Sequence, residues 1–334
     1  MKAWTLRSLV VAAAMVAGGS AWAQNQLLNV SYDVAREFYK DYNTAFAEHY
    51  KKSTGKEVKI DQSHGGSSAQ ARAVAEGLAA DVVTFNTTTD VEFLASQGVV
   101  AKDWAKKFPN DASPTTSTML FLVRNGNPKG IKDWDDLIKP GVQVVVVNPK
   151  LGGNGRYAYL AAWGAVREKG GSEADAQAYV SKFYKNVPVL AKGGRDATAT
   201  FLQRNIGDVL ITFESEVVSI DREFGKGKVD AVYPSSSITA ENPVAVVERT
   251  VGKKGTAELA KAYLDYLYSD EGQEIAAKHA IRPRSEAVLK KHADVFKPIK
   301  QFTVAKYFGS LGEAQKVHFS DGGQFDKLYT EAKK

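Results

Sequence analysis

The chain has 334 residues, of which 44% are hydrophobic and 25% charged, with a net charge of +6 and no cysteine. This length favours two domains with cores large enough to need no disulfides, and the missing cysteines exclude a disulfide scaffold. Basic pairs such as Lys51-Lys52 and Lys106-Lys107 are scattered among acids. That pattern favours a solvated surface over a nucleic-acid-binding face.

The first 23 residues are typical of a secretory signal peptide. Lys2 and Arg7 precede an apolar stretch at 9–17 that is too short to span a bilayer, and Ala21-Trp22-Ala23 forms an A-x-A cleavage site. We therefore expect cleavage after Ala23 and a periplasmic mature chain with a net charge of +4, since Lys2 and Arg7 are removed. No later run approaches the ~20 apolar residues of a transmembrane helix.

The next part of the chain alternates predicted strands and helices. In order, the pattern predicts strand 27–30, helix 33–52, strand 58–60, helix 69–78 and strand 81–85. This β-α-β-α-β order is typical of a parallel sheet with helices on its faces. Ligands of such sheets lie at the carboxyl ends of the strands.

A long apolar strand at 117–123 ends in the turn cluster Asn125-Gly126-Asn127-Pro128, which indicates a domain boundary nearby. The predicted elements that follow are strand 142–147, helices 156–168 and 173–183, strand 187–190, helix 198–204, strand 208–213, strand 244–247, and helices 256–268 and 271–278. The second half thus contains another set of alternating strands and helices, and the architecture is α/β.

Four predicted helices start directly after strands. These starts lie at Asp33, at Ser67-Ser68 after His64-Gly65-Gly66, at Asn154-Gly155 after Gly152-Gly153, and at Asp196-Ala197 after Gly193-Gly194. A helix start exposes unpaired N–H groups and the positive end of the helix dipole, and glycine allows close approach, so these turns suit a small anion. Two starts lie on each side of the boundary, so all four can converge on an interdomain cleft. Any one of them alone is more typical of ordinary capping.

Several strings resemble a known family. They are LLNVSYD (27–33), HGGSSAQA, ADVVTFN, STMLFLVRNGNPK, DWDDLIKPGV, NGRYAYLAAWG, RNIGDVLITFESEV and YLYSDEGQEIAAK. Together, from about 27 to 329, they resemble the periplasmic sulfate- and thiosulfate-binding proteins of ABC importers. The resemblance implies a monomeric binding protein, not an enzyme, that needs no cofactor or metal and delivers its anion to a membrane permease.

The implied fold is the two-lobe periplasmic-binding-protein fold of type II, with the ligand in the interdomain cleft. We expect lobe 1 to comprise 24–115 and 245–305 and lobe 2 to comprise 116–244, with 306–334 left unassigned. The anion contacts implied by the resemblance are Asp33, Ser67, Gly152, Gly153, Asn154, Gly194 and Phe213, with Arg156, Asn86 and Arg195 behind them.

Three positions depart from the family pattern. Gly152 stands where the family usually has serine, Phe213 where the sulfate-specific branch has tryptophan, and Asp196 where glycine is usual. The first two changes remove donors and make one wall apolar, which suits the larger sulfur of thiosulfate. We expect Asp196 to pair with Lys192 or Arg195, or to face solvent.

A donor-only pocket would select against phosphate. Sulfate and thiosulfate carry no proton at neutral pH, whereas phosphate keeps one, and an O–H group facing another donor costs ~1–3 kcal/mol. Molybdate, phosphate or a small organic anion in the same fold stays an open alternative because of Gly152 and Asp196.

Other readings of these residues are also open. Arg156 either balances the anion or pairs with an acid across the cleft, and His64 is either structural or a catalytic base. The enzyme alternative is an exported serine hydrolase with HGGSS as its oxyanion loop, but no G-x-S-x-G elbow is present. A phosphate loop at 152–155 is excluded, because Gly-Lys-Ser/Thr does not follow.

Overall fold

The structure is a computed structural model that describes residues 25–225 and 227–334. The predicted signal peptide and its cleavage after Ala23 lie outside the described residues. Within that described part of the chain, no helix is both long and apolar enough to cross a membrane.

The described strands alternate with helices in chain order. They are β1 (Gln26–Tyr32), β2 (Lys59–Gly65), β3 (Val82–Thr84), β4 (Thr115–Arg124), β5 (Val144–Val147), β6 (Leu190–Ala191), β7 (Val209–Phe213), β8 (Val229–Val232), β9 (Ser237–Asn242), β10 (Val244–Val246), β11 (Arg282–Pro283) and β12 (Gln301–Phe302).

The helices are α1 (Arg36–Thr54), α2 (Ser67–Glu76), α3 (Thr88–Ser96), α4 (Pro109–Ala112), α5 (Gly153–Glu168), α6 (Glu173–Lys185), α7 (Gly194–Leu202), α8 (Glu214–Phe224), α9 (Glu248–Lys254), α10 (Ala257–Tyr266), α11 (Asp270–Lys278), α12 (Glu286–Lys291), α13 (Val304–Phe308), α14 (Leu311–Ala314) and α15 (Gln324–Ala332). Short 3₁₀ turns lie at Asp33–Ala35, Trp104–Lys106 and Trp134–Ile138, and a π-helical turn at Gln315–Phe319.

The first sheet has the strand order β10-β3-β1-β2. β1 is parallel to both β2 and β3, whereas β10 is antiparallel to β3. The apolar stripe of α1, with Phe38, Tyr42 and Phe46, packs in a core built from residues 27–112 and 244–281. The four-residue spacing of these aromatic side chains explains why this segment forms an amphipathic helix on the sheet.

The second sheet has the order β12-β9-β4-β7-β5-β6, with β8 and β11 also pairing with β4. Its largest core draws residues from 119–240 and again from 302–328. β12 pairs in parallel with β9, so the chain from Gln301 onward lies on this sheet. The lobe bounds expected from the sequence stay a prediction, but the C-terminal helices pack with the second core.

Three segments that join the two sheets lie side by side. Thr115 at the start of β4 pairs with Asn242 at the end of β9 and with Pro283 of β11. Beside this ladder, Arg282 donates from Nε and Nη2 to the buried carboxylate of Glu214, at 3.1 and 2.8 Å. The crossings between the two parts of the molecule are therefore one hydrogen-bonded unit.

Several helix starts differ from the predicted bounds. The helices predicted to begin at 33, 69, 156 and 198 begin in the structure at Arg36, Ser67, Gly153 and Gly194. Gly153 and Gly194 therefore belong to the first helical turn instead of preceding it. Among the predicted elements, α3, α4, α8, α9, α12 to α15, β8, β9, β11 and β12 have no counterpart.

Candidate functional site

Helices start immediately beyond the carboxyl ends of several strands. The 3₁₀ turn at Asp33–Ala35 follows β1, and α2, α5 and α7 follow β2, β5 and β6. Glycine occupies the N-cap of these three helices, at Gly66, Gly152 and Gly193, and makes no side-chain cap. The first N–H groups of each helix are therefore left for main-chain partners, water or an anion.

Three of these starts meet at one place. A methyl group built on Gly194 would lie 3.4 Å from Val34 Cγ1 and 3.9 Å from Asn154 Nδ2, and one on Gly193 would lie 3.8 Å from Asp33 Oδ2. The starts of the 3₁₀ turn, α5 and α7 thus approach one another closely. Because β1 belongs to the first sheet and β5 and β6 to the second, the meeting point lies between the two lobes.

Two buried amide oxygens at this meeting point have no hydrogen-bond partner among the described residues. They are Asn154 Oδ1 and Asn86 Oδ1, and a methyl group on Gly153 would lie 2.8 Å from the latter. The Ser67 hydroxyl is buried at the start of α2, makes no hydrogen bond of normal geometry there, and interacts with the Asp90 carboxyl, whose pKa it lowers. Buried polar groups in native proteins are nearly always satisfied, so the amide oxygens indicate that water or another donor completes the site.

The family of the chain follows from its sequence. Residues 30–282 match the family described as "Bacterial extracellular solute-binding protein". The chain belongs to this family. It is 55% identical in sequence to a thiosulfate-binding protein of Pseudomonas aeruginosa, and the alignment covers 96% of this chain and 97% of that protein. It is 52% identical to a sulfate-binding protein of Escherichia coli, with 94% of this chain and 96% of that protein covered.

Solved structures agree with this family. The sulfate-binding protein SubI of Mycobacterium tuberculosis superposes with a TM-score of 0.79 at 31% identity, covering 87% of this chain and 98% of that one. A ferric binding protein of Campylobacter jejuni has a TM-score of 0.61 at 14% identity, and the superposition covers 91% of this chain and 99% of that one. At this low identity the similarity supports a shared fold and no shared ligand. The family resemblance and the two-lobe type II fold expected from the sequence are confirmed.

In this solute-binding protein, Gly152 faces open space. A methyl group there would have no atom within 4 Å, and the φ of −178° is extended backbone that any residue adopts. Neither space nor backbone geometry requires glycine. The serine that the family usually carries could therefore be accommodated.

Phe213 ends β7 and packs in the second core. It is 2% exposed and lies edge-on to Tyr157, with 6.1 Å between ring centroids, in the second core. The preceding residue, Thr212, accepts a hydrogen bond from Asn154 Nδ2 at 3.1 Å. Thr212 thus connects β7 to the start of α5 by a hydrogen bond, and a contact of Phe213 with the anion stays a prediction.

Two carboxylates lie beside the start of α7, the half-buried Asp33 and the buried Glu216, of which Glu216 was not assigned from the sequence. Burial raises the pKa of Asp33, partly offset by its hydrogen bond from the Val34 N–H and by the Arg195 charge. Glu216 is 3% exposed, accepts from Thr198 Oγ1 at 3.4 Å and approaches Gly194. Glu216 lies in the family-like string RNIGDVLITFESEV, which could have drawn attention to it. The string does not show, however, in which direction the Glu216 side chain points.

Arg156 connects the two lobes. Its Nη1 donates to Thr89 Oγ1 at 3.3 Å and its Nε to the carbonyl of Pro149 at 3.2 Å. Burial lowers the pKa of Arg156 and raises that of Asp90, while each charge opposes the shift of the other. The charge of Arg156 therefore interacts with that of Asp90, whereas its hydrogen bonds go to the Thr89 hydroxyl and the Pro149 carbonyl.

Asp196 has a different partner from those expected. It accepts from the main-chain N–H of Lys192 at 2.9 Å and pairs with Arg204 at 3.3 Å, not with the side chain of Lys192 or Arg195. Arg204 lies two helical turns further along the chain, so the pair bridges the C-terminal end of α7 to its first turn. The acid is thereby neutralised by a base that was not considered.

His64 has the surroundings of a structural histidine. Its Nδ1 lies 3.0 Å from the carbonyl of Tyr32, and burial lowers its pKa. Its Nε2 has no hydrogen-bond partner among the described residues, so it activates no serine there. The described residues also contain no group of three His, Cys, Asp or Glu residues that could hold a metal ion.

Proposed function

We propose that this solute-binding protein captures sulfate or thiosulfate between its lobes in the periplasm and, as a monomer, delivers it to the membrane permease of an ABC importer. The observation that carries the proposal is the convergence of three helix starts, the 3₁₀ turn after β1 of the first sheet and the glycine-capped starts of α5 and α7 after strands of the second. Relatives named for sulfate and thiosulfate, 52% and 55% identical over nearly the whole chain, support this ligand class.

The proposed contacts are mainly donors. They are the main-chain N–H groups at Asp33, Gly152, Gly153 and Gly194, the Ser67 hydroxyl and the Asn154 amide, with Phe213 as an apolar wall and Arg156, Asn86 and Arg195 behind them. Such donors satisfy every oxygen of a fully ionised oxyanion, and charge-assisted hydrogen bonds are strong even without a direct ion pair. Hydrogenphosphate would leave its O–H facing a donor.

Two residues favour thiosulfate within this class. The open space at Gly152 and the apolar ring of Phe213 suit a large sulfur that accepts hydrogen bonds poorly. The relatives do not decide the matter, since those named for either anion are similarly identical to the chain. The preference between sulfate and thiosulfate therefore has to be determined by measuring the affinity for each anion.

Calorimetric titration of desalted protein with sulfate, thiosulfate, phosphate and molybdate tests the proposal. We expect one-to-one binding of sulfate or thiosulfate and weaker binding of the other two at this site. Tighter binding of phosphate or molybdate would assign the same fold to that anion instead. Turnover of p-nitrophenyl esters, abolished by changing the HGGSS serines, would support a hydrolase.

The proposal also includes closure of the lobes around the anion. A ligand that gains contacts in the closed state shifts the equilibrium toward it. Small-angle scattering is expected to give a smaller radius of gyration after sulfate is added to ligand-free protein. An unchanged radius for protein that is open when empty would contradict this part.

A further inference from the structure

A second cavity of about 210 Å³ lies between the lobes, apart from the proposed sulfate contacts. Ser68 and Arg72 of α2 and Thr89 and Asp90 of α3 line it from the first lobe, and Arg156 of α5 and Gln315 of the π-helical turn line it from the second. None of the residues proposed to touch sulfate directly is among its walls.

The charges around this cavity are unequal. Arg72 and Arg156 both contribute guanidinium groups, whereas Asp90 is the single acid among the lining residues. The two guanidinium groups come from different lobes and are close enough that the charge of Arg72 lowers the pKa of Arg156. An anion between them would relieve a repulsion that exists only when the lobes are together.

Two hydrogen-bond acceptors belong to the residues that line this cavity. Asp90 is 5% exposed; its Oδ1 accepts from Ser68 Oγ at 2.8 Å, and the Ser67 hydroxyl also interacts with this carboxyl and lowers its pKa. The buried Gln315 Oε1 has no hydrogen-bond partner within the described part of the chain. The cavity therefore combines acceptors with guanidinium donors.

We infer that this cavity binds a small tetrahedral oxyanion that keeps a proton at neutral pH, as hydrogenphosphate does. Its unprotonated oxygens accept from Arg72 and Arg156, and its O–H donates to Asp90 or Gln315. Sulfate has no proton to donate to those acceptors.

Because the walls come from both lobes, binding here favours the closed state. Any ligand that favours closure raises the affinity of every other ligand that does so, and the effect is reciprocal. Hydrogenphosphate is therefore a positive effector of sulfate binding, not a competitor. This conclusion goes beyond the proposed function, since it assigns a second site with its own ligand class.

Titration of inorganic phosphate into sulfate-saturated protein, followed by calorimetry and ³¹P NMR, tests this inference. We expect one equivalent of phosphate to bind without releasing sulfate. In separate titrations at constant ionic strength, phosphate is expected to tighten sulfate binding by about fivefold or more, within the usual range of allosteric coupling.

Two variants assign the effect to the cavity. Arg72→Gln and Gln315→Leu are each expected to weaken phosphate binding about tenfold or more, as loss of a hydrogen bond to a charged group does. Gln315→Leu should leave sulfate affinity in phosphate-free buffer unchanged, because Gln315 is not among the proposed sulfate contacts. Arg72→Gln should not weaken it, since this variant only removes a repulsion with Arg156. Lys106→Gln, at an exposed position outside the cavity, is the matched control for loss of one charge.

Release of one sulfate for each phosphate bound would overturn the inference, because both anions would then share the main site. No phosphate binding to the sulfate-saturated protein would overturn it too, as would unaltered phosphate binding in both folded variants. In each of these cases the titration with sulfate alone still tests the proposed function independently.

Discussion

Arg156 on α5 and Thr89 on α3 are joined by a hydrogen bond of 3.3 Å that runs from one lobe to the other. α3 packs in the first core and α5 in the second, so this bond exists only when the lobes are together. We predict that Thr89→Val weakens sulfate binding by about 1 kcal/mol, roughly fivefold, through loss of that bond. Calorimetry in phosphate-free buffer measures it, with Thr44→Val on the exposed face of α1 as control. Equal affinities for both variants would show that the bond does not contribute to closure.

Ser67 begins α2, and its hydroxyl is buried without a hydrogen bond of normal geometry. If the anion is its partner, Ser67→Ala should weaken sulfate binding by ~1.5–3 kcal/mol, the range for a hydrogen bond to a charged group. Ser96→Ala, at an exposed position in the last turn of α3, controls for the loss of a hydroxyl. A dissociation constant that does not change would remove Ser67 from the site.

Gly152→Ser should be tolerated and should favour sulfate. The new Cβ meets no atom within 4 Å on extended backbone, and the serine hydroxyl adds a donor at the N-cap of α5. We expect sulfate to gain ~1 kcal/mol relative to thiosulfate with no loss of thermal stability. Gly155→Ser is the contrasting variant, since its Cβ would lie 2.5 Å from the carbonyl of Val147. Gly155→Ser should therefore lower the melting temperature. Equal melting temperatures for the two serine variants would contradict the difference in available space at positions 152 and 155.

Phe213→Trp introduces an indole donor where the sulfate-specific branch carries one. We predict a gain of ~1–2 kcal/mol for sulfate relative to thiosulfate if the indole N–H reaches the anion. Beyond residue 23 the tryptophans are Trp104, Trp134 and Trp163, none of them a proposed anion contact, so fluorescence of the new indole also reports binding. Because Phe213 is fully packed against Tyr157, overpacking could instead weaken both anions equally. If the folded variant keeps the same ratio of sulfate to thiosulfate affinity, position 213 does not discriminate between the two anions.

His318 makes the second lobe sensitive to acid. Burial among aromatic side chains lowers its pKa from 6.5 to about 4, so the folded state favours the neutral ring. A depressed pKa gives stability that is complete above pH 6.5 and is lost as pH falls toward 4, by roughly 3 kcal/mol at most. Urea unfolding at pH 7 and pH 4.5 should show a smaller acid-induced loss for His318→Gln than for the native chain. His292→Gln, in contact with Glu274, is the control, and an equal loss in all three proteins would rule out His318 as the cause.

Local sequence signals predicted the parts of the site that depend on local backbone. Gly66, Gly152 and Gly193 each lie between a strand and a helix, and the chain order of these elements indicated that their N–H groups are exposed. The helix α3 was missed because it starts in the run Thr87-Thr88-Thr89, which carries little helix propensity. Its formation depends on packing of Val91 and Leu94 in the first core.

Contacts between distant parts of the chain could not be predicted. Asn86 approaches Gly153, and Gln315 reaches a cavity lined by Asp90, more than 200 residues earlier. No pattern along the sequence encodes these distances, because they depend on how the two lobes meet. The choice of Arg204 as the partner of Asp196 is a shorter-range case, since two turns of α7 separate them.

The three crossings between the lobes restrict how the protein can move. Thr115 is paired in register with both Asn242 and Pro283, so a bend in one crossing affects the other two. Sliding or twisting of one lobe past the other would break that ladder, whereas rotation about a line through it would not. We therefore expect the lobes to open and close mainly by rotation about the ladder, so that one angle describes most of the change.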